Sequence, residues 1–319
     1  MRAFQVTSFD TSPALLDIPV PSPAAGEVLL DIAACGLNFA DLLMAKGSYQ
    51  DTPAPPFTLG LEVCGTVIAQ GAGVSAPAIG TRVAVFGGKG GMAEKGVFPA
   101  ALCRPVPDSM TAEVAAGFMV AYGTSHLALT RRAHLQKGET LLVLGAAGGV
   151  GLTAVEIGKA MGARVIAVAR GADKLDVARA AGADHVIDSD DQDIKAAVKA
   201  LGGADVVYDP VGGDAFKAAL GACKPEARVI VIGFASGDVP QVPANILLVK
   251  NISVIGFYWG GYLKFQPEAL SASLAELLDW LAEGRLRPHI SHVLPLENAA
   301  EALELMRSRA STGKVVIVP

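Results

Sequence analysis

The chain has 319 residues, enough for about two domains, because a single hydrophobic core seldom grows beyond roughly 250 to 300 residues. Hydrophobic residues make up 51% of it and charged residues 18%, so it can bury a large core. The net charge is −5 with no basic run, which argues against nucleic acid or an anionic membrane surface as a partner.

The most apolar stretch, residues 141–155, is broken by Gly145, Gly148, Gly149 and Gly151. It falls short of the roughly 20 unbroken apolar residues that a spanning helix needs. The first ten residues hold no apolar signal region. We therefore expect a cytoplasmic protein that does not enter a membrane. Cys35, Cys64, Cys103 and Cys223 form no Cys-x-x-Cys pair and read as buried thiols.

The first third reads as short strands and turns. "VLLDIAA" (28–34), "EVCGTVIA" (62–69) and "TRVAVF" (81–86) are β-branched or aliphatic runs, and Gly and Pro punctuate them as in a small β-barrel. Near residue 120 the pattern changes, and apolar runs begin to alternate with helical segments. "TLLVLG" predicts a strand, with a helix after it ending at Gly162. "ARVIAVAR" predicts the next strand, with a helix ending at Gly182. "HVID", "DVVYDP", "RVIVIGF" and "NISVIGF" continue the series, with helices after the first two. Continuous apolar strands with intervening helices imply a parallel sheet covered on both faces. A helix over 267–283, the run "HISHVLPL", a helix from Glu297 to about Ser308 and the closing strand "KVVIVP" finish the chain. The expected class is α/β: a β-rich domain over 1–122, a doubly wound Rossmann domain over 123–262, and a return to the first domain over 263–319.

The strand "TLLVL" runs straight into Gly145-Ala146-Ala147-Gly148-Gly149-Val150-Gly151, and a helix follows. A pyrophosphate site needs this arrangement: a tight turn, close backbone approach, and free N–H groups at a helix N-terminus. Ala147, Gly148, Gly149 and Val150 are the candidate phosphate residues, although Ala146 stands where the usual first glycine would. The end of the second strand selects the cofactor. NAD sites place an acid there for the ribose 2′-hydroxyl, and NADP sites place a cation for the 2′-phosphate. Here the strand ends at Arg170, with Lys174 beyond it and Asp173 free to cap the next helix. The expected cofactor is NADPH.

"CGLNFADLLMAKGSY", "LGLEVCGTVIAQGAGV", "AYGTSHLAL", "GAAGGVG", "VYDPVGG", "IGFASG" and "GKVVIVP" occur in this order. Together they resemble the medium-chain dehydrogenase/reductase superfamily, and within it the zinc-independent, zeta-crystallin-like quinone oxidoreductases. The resemblance covers essentially the whole chain and implies a GroES-like catalytic domain beside the Rossmann domain. Zinc-dependent relatives bind catalytic zinc through Cys, His and Cys. Asn38 and Leu61 stand at the first two of those positions, and no Cys lies between Cys103 and Cys223 to serve as the third. No metal is expected.

The resemblance implies that Asn38 of "NFAD" faces nicotinamide and acceptor, and that Thr124 of "YGT" lies close to the nicotinamide. It implies that Lys174 holds the 2′-phosphate and that Arg309 joins it. Relatives often carry a Tyr beside that phosphate where this chain has Ser189 after Asp188, and an acid there disfavours a phosphate. Gly233 and Phe234 of "IGFASG", with Phe257 and Trp259, complete the cofactor candidates. Each residue also has a plainer reading. Asn38 can satisfy a turn, and Thr124 can bond its own helix backbone. Tyr49 lines the acceptor pocket or merely packs. Phe257, Tyr258 and Trp259 stack on a flat acceptor or plug an interface. His126 reads as a helix residue rather than a base.

The expected reaction is hydride, or single-electron, transfer from NADPH to a quinone, with enone or 2-alkenal reduction as the alternative. A reading of another class is an NADPH-binding protein without significant turnover. A homodimer pairing through "NISVIGF" is expected.

Overall fold

Short aliphatic and β-branched runs form the strands of the amino-terminal third in the computed structural model, which describes residues 1–319. These strands are β1 (Arg2–Val6), β2 (Ala14–Asp17), β3 (Glu27–Gly36), β4 (Phe57–Thr58), β5 (Glu62–Gln70), β6 (Arg82–Phe86), β7 (Lys95–Pro99) and β8 (Arg104–Pro105). The short helix α1 (Phe39–Met44) follows β3, and the long helix α2 (Ala112–Leu127) follows β8. Then come β9 (Thr140–Val143), α3 (Gly149–Ala160), β10 (Arg164–Ala169), α4 (Ala172–Ala180), β11 (His185–Asp188), α5 (Ile194–Ala200) and β12 (Ala204–Asp209). They continue as α6 (Gly213–Ala222), β13 (Cys223–Val231), α7 (Ala244–Lys250), β14 (Ser253–Gly256), α8 (Tyr262–Phe265) and α9 (Pro267–Ala282). The chain ends with β15 (Ile290–Pro295), α10 (Ala299–Arg307) and β16 (Lys314–Val318).

The first unit comprises Met1–Val120 and His289–Pro319. Its main sheet runs β15-β16-β3-β5-β6-β8, β7 also pairs with β3, and β2-β1-β4 form a second, small sheet. The closing strand returns here as the sequence suggests: β16 lies antiparallel to β3, with Val316 opposite Gly36 and Ile317 opposite Cys35. Val28, Leu30, Val63, Val83, Val85, Phe98 and Ile317 fill the core of this unit.

The second unit is Ala121–Pro288. Its six strands are all parallel and run β11-β10-β9-β12-β13-β14. Counted from β9 this is the order 3-2-1-4-5-6 of a dinucleotide-binding sheet, which reverses between β9 and β12. All four residues of β9 are buried, as a strand covered on both faces requires.

The segment 263–288, expected with the return, lies in the second unit instead, and the return starts at His289. Side-chain bonds explain the shift. Ser273 Oγ on α9 bonds His126 Nδ1 on α2 at 2.8 Å, and the Trp280 ring meets His126 edge-on at 5.2 Å. Farther on, the Arg287 N–H donates to Glu156 Oε1 of α3 at 3.0 Å. No helix is long and apolar enough to cross a membrane.

Candidate cofactor and active site

The glycine loop leaves β9 at the point where the strand order reverses. Gly145 turns with φ 57°, a left-handed conformation that costs glycine little. The Ala146 N–H donates to the Val168 carbonyl at 2.9 Å and fastens the turn to β10. Exposed Gly148 is the N-cap of α3. A side chain at Gly151 would strike the Gly145 carbonyl, so α3 can descend onto the turn only because residue 151 has none. No acid occupies the first turn of α3. Its N–H groups and positive dipole end are therefore suited to a phosphate, and Ala147, Gly148, Gly149 and Val150 supply that edge.

Next to the loop, at the end of β10, one predicted cation meets an acid. Arg170 Nε lies 3.0 Å from Asp190 Oδ1, and both side chains are more than half exposed. The Asp188 carboxylate accepts from the Gly171 N–H at 3.1 and 3.2 Å and from the Asp190 N–H at 3.1 Å. Those two backbone bonds, Asp190 first, hold its pKa below the usual carboxylate value, and the Arg170 charge adds to them. Asp173, expected to cap α4, sits inside its first turn; the N-cap is Gly171, and Asp188 takes the Gly171 N–H. Lys174 also lies in that first turn. The exposed Ser189 is tied to the strand end, its N–H donating to the Ala169 carbonyl at 3.0 Å.

Thr124 is buried on α2, and the Trp259 indole lies close enough to neighbouring Gly123 that a Cβ there would come within 2.6 Å of it. Trp259 and Phe257 are both buried, with Phe257 tilted against Tyr262 at 5.7 Å. Among the three aromatics, Tyr258 alone is exposed. Sequence reasoning missed the group that anchors this helix. Ser125 Oγ bonds the Val150 carbonyl at 2.9 Å, Thr153 Oγ1 at 2.8 Å and the Tyr208 hydroxyl at 2.9 Å. This ties α2, and with it Thr124, to the first turns of α3 and to β12. His126 is a buried helix residue, and burial lowers its pKa. The Gly233 N–H donates to the Asp209 carbonyl at 3.4 Å. The half-buried Gly233 and Phe234 thus start the segment that runs beside the turn after β12. That turn is held by the buried Asp209 carboxylate, which accepts from the Val211 and Gly212 N–H groups at 2.8 and 2.9 Å. Burial pushes its carboxyl pKa up.

In the first unit, Asn38 caps α1 and joins a closed buried network. Its Nδ2 donates to the Gly36 carbonyl at 3.2 Å and to Glu62 Oε1 at 3.0 Å. Its Oδ1 accepts from Lys314 Nζ at 2.9 Å. Lys314 also donates to the Leu37 carbonyl at 2.6 Å and to Glu62 Oε1 at 2.8 Å. Glu62 Oε2 accepts from the Val120 N–H at 3.0 Å. Both amide hydrogens of Asn38 are thus engaged within the protein. Asp41, fully buried, accepts from the Asn38 and Gly60 N–H groups at 2.8 and 3.0 Å. Burial pushes its carboxyl up to about 7 against those two bonds. Tyr49 is half-buried and packs against the first unit's core. Arg309 stands just beyond α10 with φ 58°.

Comparison with known proteins agrees with this geometry. Residues 24–108 match the alcohol dehydrogenase GroES-like domain, and residues 149–283 match the zinc-binding dehydrogenase family. A quinone oxidoreductase-like protein 2 homolog of Nematostella vectensis is 41% identical over 91% of this chain and 81% of its own length. The chain belongs to the medium-chain dehydrogenase/reductase superfamily. Among solved structures of that superfamily, the Thermus thermophilus quinone oxidoreductase, known also in complex with NADPH, is 34% identical with a TM-score of 0.87 over both whole chains. The Escherichia coli quinone oxidoreductase complexed with NADPH is 28% identical with a TM-score of 0.93, again over both whole chains.

Zinc is part of the matched family's description, so the fit of these residues to it matters. Asn38 is an amide and Leu61 is aliphatic, so neither is a usual zinc ligand, and the Glu62 carboxylate is engaged by Lys314. No three His, Cys, Asp or Glu side chains come together to hold a metal ion. The side chains do not fit zinc. In this member of the medium-chain superfamily an ammonium and a carboxylate are buried beside Asn38 instead.

Proposed function

We propose that the chain is an NADPH-dependent oxidoreductase that reduces a quinone by hydride or single-electron transfer. The observation that carries this reading is the glycine loop and acid-free α3 N-terminus at the reversal point of a 3-2-1-4-5-6 sheet. Full-length likeness to NADPH-complexed quinone oxidoreductases supports it.

When bound, NADPH supplies the hydride or electron at its nicotinamide. The protein's contribution is to bind and orient. Ala147 to Val150 cradle the pyrophosphate, and Arg170, Lys174 and Ser189 meet the 2′-phosphate. Gly233 and Phe234 flank the cofactor, and Thr124, Phe257 and Trp259 hold the nicotinamide end. We keep Asn38 and Tyr49 as acceptor residues and Arg309 as a further phosphate partner. Because both amide hydrogens of Asn38 are engaged, Asn38 acts on an acceptor through the fixed position of its side chain rather than as a spare donor. We further propose a cytoplasmic homodimer joined along β14, which pairs only with β13 and leaves the other edge open. Beside it, α7 exposes Leu248 and Val249.

An acceptor panel at fixed NADPH tests the reading. 1,4-Benzoquinone and a naphthoquinone are expected to turn over faster than an enone. Turnover with the enone alone would make the protein an alkenal reductase. Tight binding without turnover would make it a binding protein. A monomeric sedimentation profile would remove the dimer.

A further inference from the structure

The corner where β10 and β11 end is built for a contest between charges. Arg170 is the first residue beyond β10, and its guanidinium, more than half exposed, is held by Asp190 at 3.0 Å. Asp190 is itself positioned, because its N–H donates to the Asp188 carboxylate at 3.1 Å. Asp188 is fixed in turn by the Gly171 N–H. Gln192 closes the loop: its side-chain carbonyl accepts from the Asp188 N–H at 3.0 Å, and its own N–H donates to the Asp188 carbonyl at 3.0 Å. Asp190 therefore stands against Arg170 on an ordered loop.

We propose that Asp190 is a specificity-determining residue of the cofactor site: by holding the Arg170 guanidinium it weakens the preference for a 2′-phosphate and admits NADH alongside NADPH. This rests on the assignment of the 2′-phosphate to Arg170 and Lys174. An incoming phosphate must share the Arg170 guanidinium with Asp190, which pairs with its Nε, and lie near two carboxylates, Asp188 and Asp190. The 2′-hydroxyl of NADH needs no cation and bears neither cost. Asp188 acts differently, because its carboxylate occupies the Gly171 N–H and holds the loop in shape.

An exposed ion pair changes an equilibrium by about two- to fivefold, and a like charge removed from beside a phosphate acts in the same direction. Asp190→Asn keeps the backbone bond to Asp188 and removes the charge. It is expected to lower the Kd for NADPH about fivefold and to leave that for NADH within about twofold. The gain should shrink at about 1 M salt, where the screening length is roughly 3 Å. Titration of the intact protein with NADPH and with NADH, followed by nicotinamide fluorescence, reads both. Arg170→Ala, run in parallel, is expected to weaken NADPH alone. If Arg170→Ala weakens NADPH while Asp190→Asn changes neither cofactor, or tightens both equally, the role of Asp190 is overturned and the phosphate assignment survives. If neither variant changes NADPH affinity, the assignment of the phosphate to Arg170 falls as well.

Discussion

Replacing Lys314 by methionine removes the one cation from a buried network while nearly keeping the length of the side chain. Lys314 and Glu62 side chains are 7% and 1% exposed, and Nζ makes three bonds of 2.6 to 2.9 Å. In the variant the Leu37 carbonyl and Asn38 Oδ1 lose a charged donor. Glu62 keeps only Asn38 Nδ2 and the Val120 N–H. Breaking a buried ion pair from one side costs about 3 to 5 kcal/mol, because the remaining charge stays buried. The double variant Lys314→Met, Glu62→Gln removes both charges and should recover more than half of that loss. Tryptophan emission cannot read it, since Trp259 and Trp280 both lie in the second unit. Amide hydrogen exchange at β3 and β16 can. A loss below about 1 kcal/mol in the single variant, or strictly additive losses in the double, would refute the claim that the two charges hold one another.

Three further predictions follow from named groups. Asp41 has a folded pKa of about 7, above its unfolded value of about 3.9. The folded state therefore binds more protons between those values, and exchange protection of β3 should fall as pH rises from about 4 to about 7. Asp41→Asn should remove that slope, and a slope unchanged in the variant would refute the cause. Burial lowers the His126 pKa, so stability of the α2–α9 contact is present above about pH 6.5 and is lost as pH falls below it. Trp280 emission should report the change, and His126→Gln should abolish its pH dependence. Gly151→Ala places a methyl group against the Gly145 carbonyl. It should destabilise the second unit by about 1 to 3 kcal/mol and weaken NADPH by more than about tenfold; calorimetric titration with unchanged affinity would contradict the loop assignment.

Much of the second unit was legible because its signal is local. A buried parallel strand followed by small residues and a helix reads the same in sequence and structure from residue 140 to residue 160. Helix α2 was harder to see. Ala, Val, Phe and Met fall on all its sides, so no amphipathic stripe marks it. The start of the return was misplaced by some 25 residues because α9 carries an ordinary amphipathic pattern. Tertiary bonds, among them those to His126 and Glu156, assign its segment to the second unit. Lys314 was read simply as the start of an apolar strand, and its partner Glu62 is 252 residues away. The usable signal was a charge at each end of the puzzle: a Lys opening "KVVIVP" and a Glu inside "GLEV", both in runs otherwise destined for burial. The pairing of Arg170 with Asp190 likewise depends on a loop geometry that spacing does not encode.

The most direct test of the account is the initial rate of NADPH oxidation by 1,4-benzoquinone, followed by loss of nicotinamide absorbance with and without a metal chelator. The account predicts saturable turnover in both NADPH and quinone that the chelator leaves unchanged. Absence of quinone-dependent NADPH loss, or its abolition by the chelator, would contradict it.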